Sequence, residues 1–170
     1  MTDIEIKYIT DKDKILYKNF FMKGLIQDSN NFRISPQDEI NADFPTNGTT
    51  DSFTLGAYAT SELAGVVSFE RDGQNREKLR HKGILFRMYI SPDFRGKGIS
   101  KILINKLLEL VNKVEDIEQI NLTVISNNTV AKKIYESFGF KTFSMEMNAQ
   151  KWKGVYFDEE TMVLPLCSLS

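Results

Sequence analysis

Hydrophobic and polar residues follow two different periods along the chain, and these periods separate strands from helices. Alternation with a period of two, or a short apolar run, is typical of a strand. Seven segments show one of these patterns: residues 4–10, 53–60, 63–72, 83–90, 119–125, 140–148 and 156–166. The second and third of these strands are expected to form a hairpin through a tight turn at residues 60–62.

Other segments carry apolar residues at helical spacing or the signals of a helix start. Four helices are predicted, over residues 11–26, 35–44, 100–114 and 128–138. Asp11 or Asp13 is placed to cap the first helix. Ser35 is the expected cap of the second, with Pro36 at its first position. Gly139 stands where helices commonly end in a left-handed residue.

The order of these elements is strand, two helices, three strands, helix, strand, helix and two strands. This order predicts a mixed sheet with helices on both faces, in an α/β or α+β domain. A chain of 170 residues has the usual size of one domain and can bury a core without disulfides or metals. No repeat, low-complexity segment or linker is visible, so we expect residues 1–170 to form a single domain.

Composition and charge exclude several classes of protein. The 22 basic and 23 acidic residues give a formal net charge of −1, without the basic excess of nucleic-acid or membrane-surface proteins. The single cysteine, Cys167, cannot form an intrachain disulfide, and with His81 it makes no metal-ligand cluster. Neither a secretion signal nor an apolar run of about 20 residues is visible. We therefore expect a cytoplasmic protein that binds no nucleic acid, membrane or metal.

A glycine-rich loop joins the fourth predicted strand to the third helix. In this loop Gly96 and Gly98 alternate with Arg95 and Lys97. A helix N-terminus carries unpaired N–H groups and a partial positive charge, and glycines let the backbone approach a ligand closely. The loop is therefore suited to phosphate, and to pyrophosphate best. The plainer interpretation is a strand-to-helix turn with solvated basic side chains.

The spacing of the loop residues distinguishes among three phosphate-binding motifs. A Walker loop would place lysine after the second glycine, whereas Lys97 precedes Gly98. A dinucleotide loop would need a third glycine at Lys101. The pattern that fits is Arg or Gln, two residues, Gly, one residue and then Gly or Ala. Here these positions are Arg95, Gly98 and Ser100, and Ser100 is small but departs from the last position. The loop thus resembles the acyl-CoA pyrophosphate loop of the GNAT superfamily of N-acetyltransferases.

A second pattern of the same superfamily follows about 30 residues later, at the fourth helix. It consists of Asn128, Ala131, Tyr135, Gly139 and Phe140. Most of these residues have plain structural interpretations as an N-cap, core residues and a C-terminal glycine. Tyr135 differs, because it lies on the apolar stripe and yet has a hydroxyl that needs a partner.

The resemblance implies an acetyl-CoA-dependent N-acetyltransferase with about seven strands, mostly antiparallel and splayed at the centre. By resemblance, Tyr135 is the general acid that protonates the leaving thiolate. A backbone N–H at the end of the fourth strand, expected at Ile90, stabilises the oxyanion. The residues expected to bind acetyl-CoA are Met88, Tyr89, Ile90, Arg95, Gly96, Lys97, Gly98, Ile99, Ser100 and Asn128.

The general base and the acceptor stay open at this point. Glu70 and Asp51 are possible bases, since Thr123 stands where a glutamate would serve. The acceptor pocket is expected to involve the following residues: Phe32, Asp51, Phe53, Glu70, Phe86 and Trp152. The segment 148–166 contains aromatic residues and can cover this pocket or form a homodimer contact.

A small-molecule or peptide amine is the expected acceptor, and protein lysines or N-termini are a close variant. The main alternative is a non-catalytic acyl-CoA-binding regulatory module. A nucleotide-binding protein of another fold is the third interpretation.

Overall fold

The computed structural model describes residues 3–73 and 76–166, and in them seven strands form one sheet. The strands are β1 (Ile4–Ile9), β2 (Ser52–Ala59), β3 (Glu62–Arg71), β4 (Lys82–Ile90), β5 (Gln119–Ile125), β6 (Lys141–Trp152) and β7 (Val155–Pro165). Their order across the sheet is β1-β2-β3-β4-β5-β7-β6. Among these pairs only β4 and β5 run parallel, so the predicted mixed, mostly antiparallel sheet is confirmed.

The described residues also contain four α-helices, which lie on both faces of the sheet. They are α1 (Lys14–Gln27), α2 (Pro36–Ile40), α3 (Ile99–Val111) and α4 (Thr129–Ser137). On one face Leu103 and Leu107 of α3 are fully buried with Phe69 of β3. On the other face Phe21 of α1 packs with Val66. The two cores explain why both helices have apolar faces.

The sheet opens at its centre, between β4 and β5. These strands are paired only where Lys82, Gly83 and Ile84 meet residues 119–121. From Leu85 onward β4 has no pairing with β5. The peptide groups on that edge of β4 are therefore left without a β5 partner, as the predicted splay requires.

A bulge in β4 changes which face its side chains occupy. Between the pairs Val66–Tyr89 and Ser68–Phe86, two residues of β4 oppose one of β3. Arg87, inside this bulge, has a left-handed φ of 52°. Because the extra residue shifts the alternation, the Tyr89 side chain packs on the α1 face.

Helix ends differ in part from their prediction. Asp13 is the N-cap residue of α1, as predicted, but its side chain makes no cap bond to that helix. Its Oδ2 accepts from the Thr10 N–H at 3.1 Å instead, while the Thr10 hydroxyl accepts from the Lys12 N–H at 3.3 Å. This 3₁₀ turn, Asp11–Asp13, precedes α1. Ser35 caps α2 as predicted, and α2 ends at Ile40, before residue 44.

Two further predictions can be compared with the structure. Gly139 follows α4 with a φ of 98°, as predicted for a helix-ending glycine. Helix α3 begins at Ile99, one residue before its predicted start, and ends at Val111. Cys167 lies outside the described residues. Within those residues, no helix combines the length and the apolar character that crossing a membrane requires.

Candidate active site

A cleft of about 740 Å³ opens where β4 and β5 separate. Its walls are these two strands, the N-terminal ends of α3 and α4, and residues 28–34. This volume is in the range of small-molecule and cofactor sites. The splay therefore produces a cleft of the size that small-molecule and cofactor sites have.

Most of the predicted site residues line this cleft. They are Met88, Tyr89, Ile90, Arg95, Gly96, Gly98, Ile99, Ser100, Asn128 and Tyr135. Lys97 is not among the residues that line the cleft, and its ammonium lies 5.1 Å from the ring centre of Phe94. The fold thus brings together two motifs that lie about 30 residues apart in the sequence.

The glycine loop has the backbone conformation that its residues suggested. Gly96 and Gly98 have φ values of 74° and 76°, which favour glycine. Gly98 is the N-cap of α3 and supplies no side-chain cap, so nothing on that residue satisfies the first N–H groups of the helix. A Cβ on either glycine would meet no atom within 4 Å among the described residues. The backbone here is open to an anionic ligand.

The Arg95 side chain is already engaged by other protein groups. Its Nη2 donates to Oδ2 of Asp28 at 2.7 Å, and its Nε donates to the Ile90 carbonyl at 3.1 Å. Arg95 therefore connects the glycine loop with the end of β4 and with the segment after α1. Sequence reasoning missed Asp28, for which the chain gives no local signal.

Tyr135 lines the cleft and carries a protonated hydroxyl. The residue is buried, and its ring packs edge-on against Phe140 with centres 5.9 Å apart. Burial raises the pKa of the Tyr135 phenol above its ordinary value. The hydroxyl has no hydrogen-bonding partner among residues 3–73 and 76–166. It is available to donate a proton to a bound molecule.

Asn128 has the structural role that any N-cap would have. Its Oδ1 accepts from the Ala131 N–H at 3.2 Å and so begins α4. The same residue lines the cleft. Capping fixes the orientation of the side chain, and its amide nitrogen makes no hydrogen bond within the described residues.

The candidate acceptor residues divide into two groups. Phe32, Glu70 and Phe86 line the cleft, whereas the other three candidates do not. Asp51 is bound to Arg71 at 2.7 Å, outside the cleft.

The two aromatic candidates are placed elsewhere by packing. The Phe53 ring is buried between Phe69 and Tyr8, with ring centres 5.6 and 6.0 Å away. Trp152 lies at the end of β6, beside the hairpin to β7. Both expectations are therefore wrong, because a strand pattern does not reveal which face turns toward a cleft.

Glu70 is a half-buried carboxyl group in the cleft wall. Loss of solvent raises its pKa, Arg87 lowers it and Asp72 raises it, and the net shift is upward. Residues that pair across β3 and β4 share a face, so Glu70 lies beside Ile84 on the face of Phe86. This is the side of the cleft that faces α1 and α2.

Arg87 and Glu39 form a buried ion pair next to this carboxyl group. Nη1 of Arg87 lies 2.9 Å from Oε2 of Glu39, whose side chain is 1% exposed. The guanidinium also lies over the Phe21 ring, 4.8 Å from its centre. The sequence contains one signal of this ion pair, an arginine inside an apolar strand, but it does not reveal the register of the bulge.

Solved structures share this fold over nearly the whole chain. A GNAT-family acetyltransferase from Streptococcus pneumoniae aligns with a TM-score of 0.83 and 20% identity, covering 96% of this chain and 100% of that one. A putative acetyltransferase from Salmonella typhimurium, solved with its cofactor acetyl-CoA, aligns with a TM-score of 0.78 and 14% identity, covering 99% and 97%. At these identities the comparison shows the fold alone.

The sequence comparison identifies the family. The model of the acetyltransferase (GNAT) family matches residues 19–140, and the chain belongs to this family. A spermine/spermidine N(1)-acetyltransferase of Bacillus subtilis (strain 168) is 24% identical over 99 residues, which are 57% of this chain and 65% of that protein. A spermidine N(1)-acetyltransferase of Vibrio cholerae is 33% identical over 60 residues, 35% of either chain. The matched part therefore spans less than two thirds of these relatives.

Proposed function

We propose that the protein is an N-acetyltransferase that uses acetyl-CoA to acetylate a primary amine by direct attack in a ternary complex. The observation that carries this proposal is one cleft with two features. At one end lies the Gly98 N-cap of α3, and in the wall lies the protonated hydroxyl of Tyr135. An anion site and a proton donor are the parts that transfer from a thioester needs.

The residues of the cleft fit a bound coenzyme A. The N–H groups at the start of α3 would hold its diphosphate, because they are uncapped and lie at the positive end of the helix dipole. The unpaired edge of β4 would bond the pantetheine arm in the manner of an added strand. When bound, acetyl-CoA supplies a thioester that an amine can attack and a thiolate that leaves.

Two groups of the chain would stabilise the transition state. A peptide N–H of residues 88–90, expected at Ile90, donates to the carbonyl oxygen as charge develops there. Tyr135 donates its proton to the leaving sulfur. Because the pKa of Tyr135 is raised, the hydroxyl stays protonated throughout the neutral range.

Glu70 is the group that we propose as the base for the amine. It lies in the cleft with a raised pKa, whereas Asp51 is held by Arg71 outside it. Glu70 pairs with Ile84, which lies four residues before Met88. At about 3.3 Å per residue, roughly 13 Å of strand separates Ile84 from Met88. The proton would therefore pass to Glu70 through bound water.

The acceptor that fits best is a small molecule or peptide with a cationic amine. The cleft contains the ion-paired Arg87 and the carboxyl group of Glu70, and a carboxylate favours an ammonium group. The relatives from Bacillus subtilis and Vibrio cholerae carry names that refer to spermine and spermidine. A polyamine is therefore the first acceptor to test.

A titration followed by an amine screen tests the proposal. We expect coenzyme A to bind in calorimetry and ATP not to bind, and we expect a polyamine or peptide amine to release free thiol from acetyl-CoA. Binding without turnover of any amine would favour the non-catalytic regulatory module. Binding of ATP without binding of coenzyme A would remove the proposal.

A further inference from the structure

The segment between α1 and α2 forms one wall of the cleft. We call residues 28–34 the strap. Within it Asp28, Asn31, Phe32, Arg33 and Ile34 line the cleft. The turn Ser29–Asn31 contacts β5. The strap thus reaches from α1 across the opening between β4 and β5.

Ion pairs hold the strap at both of its ends. Asp28 bonds to Arg95 of the glycine loop at 2.7 Å. Arg33 lies 3.0 Å from the buried carboxylate of Glu159 on β7. Between them the Phe32 ring packs on its neighbours in the α1 core. The strap is therefore bound to the glycine loop at one end and to β7, the strand beyond β5, at the other.

Arg95 is the residue through which the ion pair at Asp28 connects the strap to the glycine loop. Its guanidinium bonds Asp28 and the Ile90 carbonyl at the same time. A change in the position of this guanidinium would therefore affect both the end of β4 and the strap. Asp28 has no other ion pair among the described residues.

We propose that Asp28 is a positioning residue that, through Arg95, couples binding at the glycine loop to the position of the strap. The inference rests on the proposed function, because it takes the strap as the acceptor wall and the loop as the coenzyme A site. Coenzyme A that orders the loop would order the strap, and the acceptor amine would then meet a preformed wall. Such coupling is reciprocal in binding free energy.

Hydrogen exchange with coenzyme A as the probe tests the coupling without a known acceptor. In the wild type we expect coenzyme A to slow amide exchange in residues 96–100 and, by at least about fivefold, in the strap. In Asp28→Asn the slowing in residues 96–100 should persist and that in the strap should disappear. Asp28→Glu, which keeps the carboxylate, should restore the wild-type response.

Asp93→Asn is the matched control for this experiment. Asp93 is exposed, lies two residues before Arg95 and makes no ion pair in the described part of the chain. It should respond as the wild type does. Because the Asp28–Arg95 pair is partly exposed, Asp28→Asn should change the Tm by only about 4 °C or less, so a general loss of structure would be visible.

Three results would overturn the inference, and they separate the coupling from the proposed function. Slowing in residues 96–100 without slowing in the wild-type strap, or an unchanged strap response in Asp28→Asn, would remove the coupling and leave the proposed function intact. No slowing in residues 96–100 of the wild type would remove the proposed function and the inference with it. Once an amine substrate is known, Asp28→Asn should raise its KM and leave kcat nearly unchanged.

Discussion

The guanidinium of Arg87 lies 2.9 Å from the carboxylate of Glu39, and this pair joins the β4 bulge to helix α2. Glu39 is almost completely buried, and the Arg87 side chain is 16% exposed. The pair also adjoins Tyr17, whose pKa burial raises to about 12, against the lowering effect of Arg87. The wall of the cleft is therefore held by charges as well as by apolar packing.

Breaking this pair from one side should be costly. Glu39→Gln leaves the Arg87 charge buried without its partner, and we expect the free energy of unfolding to fall by about 3 kcal/mol. Denaturant unfolding measures this change. The double variant Glu39→Leu with Arg87→Met removes both charges and should recover most of the loss. A double variant as unstable as the single one would show that the pair acts through something other than charge burial.

The Tyr135→Phe variant tests the proton donor. The ring and its contact with Phe140 remain, so the fold should be unchanged, while the hydroxyl is lost. We expect kcat to fall by roughly 10² to 10⁴-fold, with the affinity for coenzyme A changed by less than about twofold. Steady-state kinetics and calorimetry measure the two effects. A large loss of affinity with unchanged kcat would instead assign Tyr135 a structural role.

Gly98 and Gly48 provide a matched comparison for the anion site. Both have a left-handed φ, 76° and 73°, and an added Cβ on either meets no described atom within 4 Å. Each change to alanine should cost about 1 kcal/mol of stability through backbone strain. Only Gly98→Ala should weaken coenzyme A binding, by about tenfold or more, since Gly98 lines the cleft and Gly48 does not. Equal affinities in the two variants would argue against the proposed loop.

Substitutions at Glu70 and at Asp51 should differ in their effects on activity and on stability. Glu70→Gln should lower kcat by roughly 10² to 10⁴-fold, while Asp51→Asn leaves it within about twofold. Asp51→Asn should instead lose about 1–2 kcal/mol of stability, because it breaks the ion pair with Arg71. If kcat fell in Asp51→Asn and stayed unchanged in Glu70→Gln, Asp51 would be the base.

The pKa shifts of these two carboxyl groups give opposite dependences of stability on pH. Arg71 lowers the pKa of Asp51, so its contribution is present above its unfolded pKa and is lost as the pH falls through the lower folded value. Burial raises the pKa of Glu70, so the folded state binds the proton more tightly, and stability falls as the pH rises from the unfolded to the folded value. At neutral pH Glu70→Gln should therefore have a higher Tm than the wild type, and thermal scans from pH 4 to 8 would show whether this difference shrinks in acid.

Much of the site could be predicted because its parts are local. Gly96 and Gly98 have the left-handed conformations that only glycine adopts easily, and a short motif is enough to indicate them. The α4 pattern likewise placed Tyr135 on a buried face. The role of Lys97 stays a prediction, because a basic residue in a loop can turn either toward a ligand or away from it.

The sequence by itself determined the period of each element, the two glycine conformations and the order of strands and helices, since these depend on neighbouring residues. Only the tertiary structure decided that β4 bulges at Arg87 and separates from β5 after Ile84. The same holds for the meeting of Asp28 with Arg95, 67 residues apart. Such contacts depend on strand register and on long-range packing, and a shift of one residue in register turns every side chain to the opposite face.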